Sequence, residues 1–136
     1  EKISLFPTCK QKKQNPLQPI VSLFETISPL ARLEILLIIG AGEACVCHLE
    51  ARLGYRQAYI SQHLMALRQA GLLDSRREGK YIFYRLAKPE ILELLQKAAQ
   101  ISNATLPKLE VVSPEKQCAC PSCAPITNLI PLKQIQ

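Results

Sequence analysis

The stretch RQAYISQHLMALRQAGLLDSRREGKYIFYRLA, residues 56–87, decides the fold. Its first half places Ile60, Leu64 and Leu67 at helical spacing and stops at Gly71, which predicts a helix with one apolar stripe. Its second half changes period. Residues 72–77 and 80–86 predict two strands around a Glu78-Gly79 turn. In the second strand Ile82, Tyr84 and Leu86 share one face, while Tyr81, Phe83 and Arg85 share the other.

Working outward, EACVCHLEARLG (residues 43–54) lies just upstream and ends on Gly54. Val46, Leu49 and Leu53 recur at helical spacing, so they face a core. Two short helices separated by a turn containing Gly54 form a helix-turn-helix. Before them, SPLARLEILLIIGAG predicts a central buried helix with Ser28 as N-cap, Pro29 at the first helical position and Gly40 or Gly42 as the stop. PLQPIVSLFETI is a further short helix. After the hairpin, KPEILELLQKAAQIS carries Ile91, Leu94, Leu95, Ala98 and Ile101 on one stripe, which would suit a dimer interface. The fold class is therefore mainly α with a small β-hairpin, a winged helix-turn-helix.

The ends differ in composition. Of ten prolines, three lie before residue 20 and five after residue 106. This predicts a flexible N-terminal arm (1–16), an ordered winged helix-turn-helix domain (17–103) and a Pro-rich, Cys-containing tail (104–136).

The chain has 136 residues, a net charge of +6 and 48% hydrophobic residues, enough apolar content for one modest core. The basic balance favours a polyanionic partner, nucleic acid or an anionic surface. No stretch reaches the ~18 apolar residues that span a bilayer, and the N-terminus lacks the apolar region of a signal peptide. A cytoplasmic protein with no membrane partner is the expectation. No nucleophile, base and orienting group stand out together, so an enzyme is not expected, nor is an organic cofactor.

A helix that reads DNA must offer polar side chains to base edges while its other face packs. Arg56, Gln57, Tyr59, Ser61, Gln62 and His63 are the outward candidates. Arg76, Arg77 and Lys80 cluster around the hairpin tip, as a wing touching the backbone or minor groove requires.

Six cysteines in a reducing compartment point to metal or thiol chemistry rather than a disulfide framework. Cys45 and Cys47 lie off the Val46, Leu49, Leu53 stripe, so packing explains them poorly. About 200° apart inside a helix, they converge only at a helix N-terminus, where the thiolate is also favoured. Cys118, Cys120 and Cys123 in CACPSC suit soft-metal capture. The prolines around them argue against a thioredoxin-like pair.

The segments CVCHLEARLG, SQHLMALRQAGLL and REGKYIFYRL resemble the ArsR/SmtB family of bacterial metal-responsive repressors, over roughly residues 20–101. That resemblance implies a homodimeric winged-helix repressor that reads an inverted repeat in double-stranded operator DNA and leaves it when an inducer binds. It places Gln57, Tyr59, Ser61, Gln62 and His63 in the DNA-reading helix. It also implies that CVC is the thiolate site of the arsenic-sensing or cadmium/lead-sensing branches. Glu50 stands where the arsenic branch can carry a third cysteine, so another ligand must come from elsewhere. Cys9 is one source, by analogy with the arm cysteines of the cadmium/lead branch, and the tail cysteines are the other. Three sulfurs suit As(III), Sb(III) or Pb(II), whereas Cd(II) or Zn(II) wants a fourth ligand, which His48 could supply. The family's zinc site on the last helix is not expected, because that segment has no histidine. Two alternatives remain: a thiol-based redox sensor of the same fold, and a metal-buffering protein without a DNA role.

Overall fold

The computed structural model describes residues 15–107. In chain order they form α1 (Gln18–Ile27), α2 (Leu30–Ile39), β1 (Glu43–Cys45), α3 (Val46–Leu53), α4 (Gln57–Gln69), β2 (Leu73–Glu78), β3 (Tyr81–Leu86) and α5 (Glu90–Ser102). Helix α2, apolar on most sides, is the central element, and buries Ala31, Ile35, Leu36 and Ile39. Helix α4 meets it with the expected stripe: Ile60, Leu64 and Leu67 are fully buried, as is Leu49 of α3. The turn between α3 and α4 depends on Gly54. Its φ of 72° is left-handed, and its N–H closes α3 on the Glu50 carbonyl, a conformation in which a Cβ crowds the following carbonyl.

The hairpin forms one residue later than its predicted turn. Glu78 pairs with Tyr81, so Gly79 and Lys80 make the two-residue loop. Gly79, at φ 59°, supplies the positive φ such a loop needs. A third strand joins the pair. Strand β1 lies antiparallel to β3, giving the order β1-β3-β2, with Ala44 opposite Tyr84 and Cys45 opposite Phe83. Residues 43–45 are therefore strand, and the helix begins at Val46, the first residue of the expected stripe.

Ser28 is not the N-cap of α2. It stays helical and closes α1 on the Phe24 carbonyl. Pro29, extended at ψ 130°, is the N-cap instead, and its carbonyl accepts the first N–H groups, from Arg32 and Leu33. Likewise Pro89 precedes α5 as its cap.

Helix α5 buries Ile91, Leu95 and Ala99. Leu94 is half-buried, Ala98 is exposed and Ile101 is 85% exposed. Beside it α1 exposes Leu17, Ile20, Val21 and Phe24. A groove of about 330 Å³ runs between them, lined by Phe24, Leu33, Leu37, Leu94 and Ala98 among others. Among the described residues, no helix is long and apolar enough to cross a membrane. The helix-turn-helix of α3 and α4, followed by the β2–β3 hairpin, makes this a winged helix-turn-helix.

Candidate nucleic-acid interface and thiol pair

Burial of Ile60, Leu64 and Leu67 fixes which side of α4 faces outward. Arg56 caps the helix in extended conformation, with no side-chain hydrogen bond to its first turn. Gln57, Tyr59 and Gln62 are exposed and Ser61 is half-buried. Two tyrosines brace this end. The Tyr55 hydroxyl donates to the Glu34 carboxylate at 2.9 Å, and that bond is the first cause holding the phenol above its ordinary pKa. The Tyr55 ring lies 5.1 Å from Tyr59, edge-on.

His63 departs from the outward set. It sits three residues after Ile60 and four before Leu67, on the flank of the buried stripe. Its ring meets Tyr59 edge-on at 4.5 Å, and its Nδ1 accepts from Arg32 Nε of α2 at 3.2 Å. Arg32 also donates to the Thr26 carbonyl of α1 at 2.9 Å. Burial, then the Arg32 charge, push the imidazole below its ordinary pKa, so it is neutral at pH 7, with Nδ1 as acceptor. His63 thus bridges α4 to α2, and nothing in sequence spacing marks Arg32 as its partner.

The wing residues do not cluster as expected. Successive strand residues point to opposite faces, which separates Arg76 from Arg77. Arg77 donates to the Gly79 carbonyl at 3.1 Å, inside the turn. Lys80, exposed at the tip, has its ammonium 5.4 Å from the Tyr81 ring centre. Arg76 is engaged along the sheet. Its Nε reaches both Glu43 oxygens at 2.9 and 3.0 Å, and its two terminal nitrogens meet Glu43 at 2.7 Å and Glu78 at 2.9 Å. Its guanidinium carbon lies 4.5 Å over Phe83. The Arg76 hydrogen bond holds the Glu43 carboxyl below its ordinary pKa.

Cys45 and Cys47 converge. Cys45 ends β1 and is the N-cap of α3, at φ −88° and ψ 166°. Its Sγ accepts from the His48 N–H at 3.3 Å and lies 2.6 Å from the Cys47 Sγ. The expectation that packing explains this pair poorly fails for Cys45, which is 1% exposed against Phe83. Pairing of β1 with β3 buries it, which no helical stripe could reveal. Cys47 is half-buried beside Phe83. Two sulfurs at one helix start fit part of a thiophilic ion's coordination shell. Among the described residues, no group of three or more Cys, His, Asp or Glu completes such a shell. Cys9, Cys118, Cys120 and Cys123 lie outside the described residues. Burial, then the Arg52 charge, lower the pKa of the His48 imidazole.

The model of the arsR family of bacterial regulatory proteins matches residues 31–75, from α2 into β2. The biofilm growth-associated repressor of Agrobacterium fabrum is 43% identical over 77 residues, which are 57% of this chain and 66% of that protein. The arsenical resistance operon repressor of Escherichia coli is 43% identical over 68 residues, 49% of this chain and 58% of that protein. The chain thus spans less than two thirds of either relative's length. The crystal structure of the transcriptional repressor BigR from Xylella fastidiosa matches with a TM-score of 0.59 and 33% identity, over 65% of this chain and 90% of that one. All three are named as repressors, which agrees with a regulator rather than an enzyme. With a helix-turn-helix, a wing and these similarities, the chain belongs to the arsR family of bacterial regulatory proteins.

Proposed function

We propose that this protein is a cytoplasmic, homodimeric transcriptional repressor that leaves its operator when a thiophilic metal or metalloid binds cysteine thiolates. The observation that carries this reading is the convergence of Cys45 and Cys47 on the first turn of the helix-turn-helix. An ion held there sits against the element that orients α4.

Arg56, Gln57, Tyr59, Ser61 and Gln62 are the proposed contacts of α4 with DNA, with Arg77 and Lys80 as wing contacts to the phosphates. Gln62, exposed and on the second turn of α4, suits a base edge. The apolar faces of α1 and α5 suit a second copy of the chain, and a two-fold dimer reads an inverted repeat in double-stranded DNA. Because two thiolates leave the shell incomplete, Cys9 or one of Cys118, Cys120 and Cys123 would supply the third sulfur. Three sulfurs favour As(III), Sb(III) or Pb(II), and a fourth donor favours Cd(II). An inducer acts only through its preference for the conformation that does not hold DNA. The name of the E. coli relative, an arsenical resistance operon repressor, supports the metalloid branch by analogy.

The test is DNA release from the reduced dimer, titrated with As(III), Sb(III), Cd(II), Pb(II) and Zn(II). It is repeated with Cys→Ser changes at Cys9, at Cys45 and Cys47, and at the three tail positions. Release that persists without Cys45 and Cys47 refutes the site.

The same convergence favours a second reading, in which hydrogen peroxide oxidises the two thiols to a disulfide and is reduced to two waters. Release by peroxide with no metal response selects it. A metal-buffering role without DNA requires that no duplex be bound at all.

A further inference from the structure

We propose that Arg76 is a positioning residue that braces the wing to β1 over Phe83, and that this brace ties the wing to the Cys45–Cys47 pair. The proposal rests on the reading of the chain as a DNA-binding, thiol-controlled repressor and names how its two sites communicate.

The strand register places the parts. Cys45 is paired with Phe83 on β3, and Phe83 is paired with Arg76 on β2. Paired residues share a face of the sheet, so thiol, aromatic ring and guanidinium form one cross-strand row. Glu43 lies two residues before Cys45 on the same face, and its carboxylate reaches diagonally to Arg76. The ring of Phe83 is thus held between Cys45, which it buries, and Arg76, which lies 4.5 Å from its centre.

Arg76 is poorly placed to take a phosphate. All three guanidinium nitrogens already meet carboxylate oxygens, and the two flanking carboxylates repel a phosphate. The bidentate fork instead fixes the angle between β1 and the wing. Any shift of Cys45 to satisfy an ion moves β1 at the residue facing Phe83, and Glu43 transmits that shift to Arg76.

The experiment compares the full-length wild type with Glu43→Gln and Arg76→Gln. Affinity is measured against salt on a duplex that the wild type selects from a random library, and amide exchange is followed across residues 76–83. A brace predicts that both variants weaken binding similarly, roughly two- to fivefold, with the salt slope unchanged and faster exchange in the hairpin. A phosphate ligand predicts the opposite pattern: Arg76→Gln makes the slope shallower by about 0.9, and Glu43→Gln tightens binding. That result overturns the brace, as does unchanged exchange in both variants. As(III) and Pb(II) are then added. Reduced release in both variants supports the link to the thiols, and release equal to wild type overturns it. If the wild type itself does not respond, the inducer reading fails while slope and exchange still decide the brace. If no duplex is selected, the DNA reading fails and exchange alone decides the brace.

Discussion

Replacing His63 by Ala tests whether this residue is a bridge within the protein. In the native state its Nδ1 accepts a hydrogen bond from the Arg32 guanidinium, and its ring meets Tyr59 edge-on. Hydrogen bonds to charged groups contribute about 1.5–3 kcal/mol and edge-on ring pairs about 0.5–1.5 kcal/mol. Three effects reduce the loss. Arg32 keeps its bond to Thr26, the buried Nε2 has no partner among the described residues, and Ala favours a helix by a few tenths of a kcal/mol. The net expectation is about 1 kcal/mol of destabilisation at pH 7.5, a fall of roughly 4–8 °C in melting temperature. The difference depends on pH. Burial and Arg32 depress the His63 pKa in the folded state, so the unfolded chain takes up the proton more readily. His63 therefore contributes fully above its unfolded value of about 6.5, and its contribution fades as the pH falls from there through the folded value. His48 is shifted in the same direction, and the chain has only these two histidines. The assay is urea denaturation of wild type and variant between pH 5 and 8 at one fixed protein concentration. A gap that narrows on acidification supports the bridge. A gap independent of pH, or a variant as stable as wild type at pH 7.5, refutes it.

Cys45→Ser keeps an acceptor for the His48 N–H but buries a hydroxyl against Phe83 and should lose about 1–3 kcal/mol, whereas Cys45→Ala loses only the cap and about 1 kcal/mol; denaturation midpoints distinguish them. Leu64→Ala opens a cavity at a fully buried position of α4 and should lower unfolding stability by about 2–5 kcal/mol. Gln62→Ala should weaken binding to the selected duplex by about 1–3 kcal/mol and leave binding to unrelated duplexes nearly unchanged; equal losses on both would assign Gln62 to the phosphates.

Periodicity sufficed where an element is long and one-sided. The stripe of Ile60, Leu64 and Leu67 gave α4 its orientation, and the change of period after Gly71 exposed the wing. What spacing could not supply was pairing between distant segments. Strand β1 is three residues long, too short for any alternation to register, and only its pairing with β3 explains why Cys45 is buried. Arg76 resembled a phosphate contact because its partner, Glu43, lies 33 positions away. His63 resembled a base reader because a flank position is polar whether it meets water or Arg32. The thiol pair was legible as CVC, and its convergence at a helix start follows from cap geometry. The remaining donors cannot be placed by that reasoning, since no local periodicity connects residues 9 or 118–123 to α3.

The placement of the aromatic side chains has an optical consequence. The chain has no tryptophan and four tyrosines. Tyr55 and Tyr59 stand at the entrance to α4, and Tyr81 and Tyr84 lie on β3; α1, α2 and α5 carry none. The native tyrosine emission of this protein therefore comes wholly from the entrance to α4 and from the wing strand β3. The surface offered by α1 and α5 carries no tyrosine, so with tyrosine excitation an unlabelled sample reports events at α4 and the wing against a silent background.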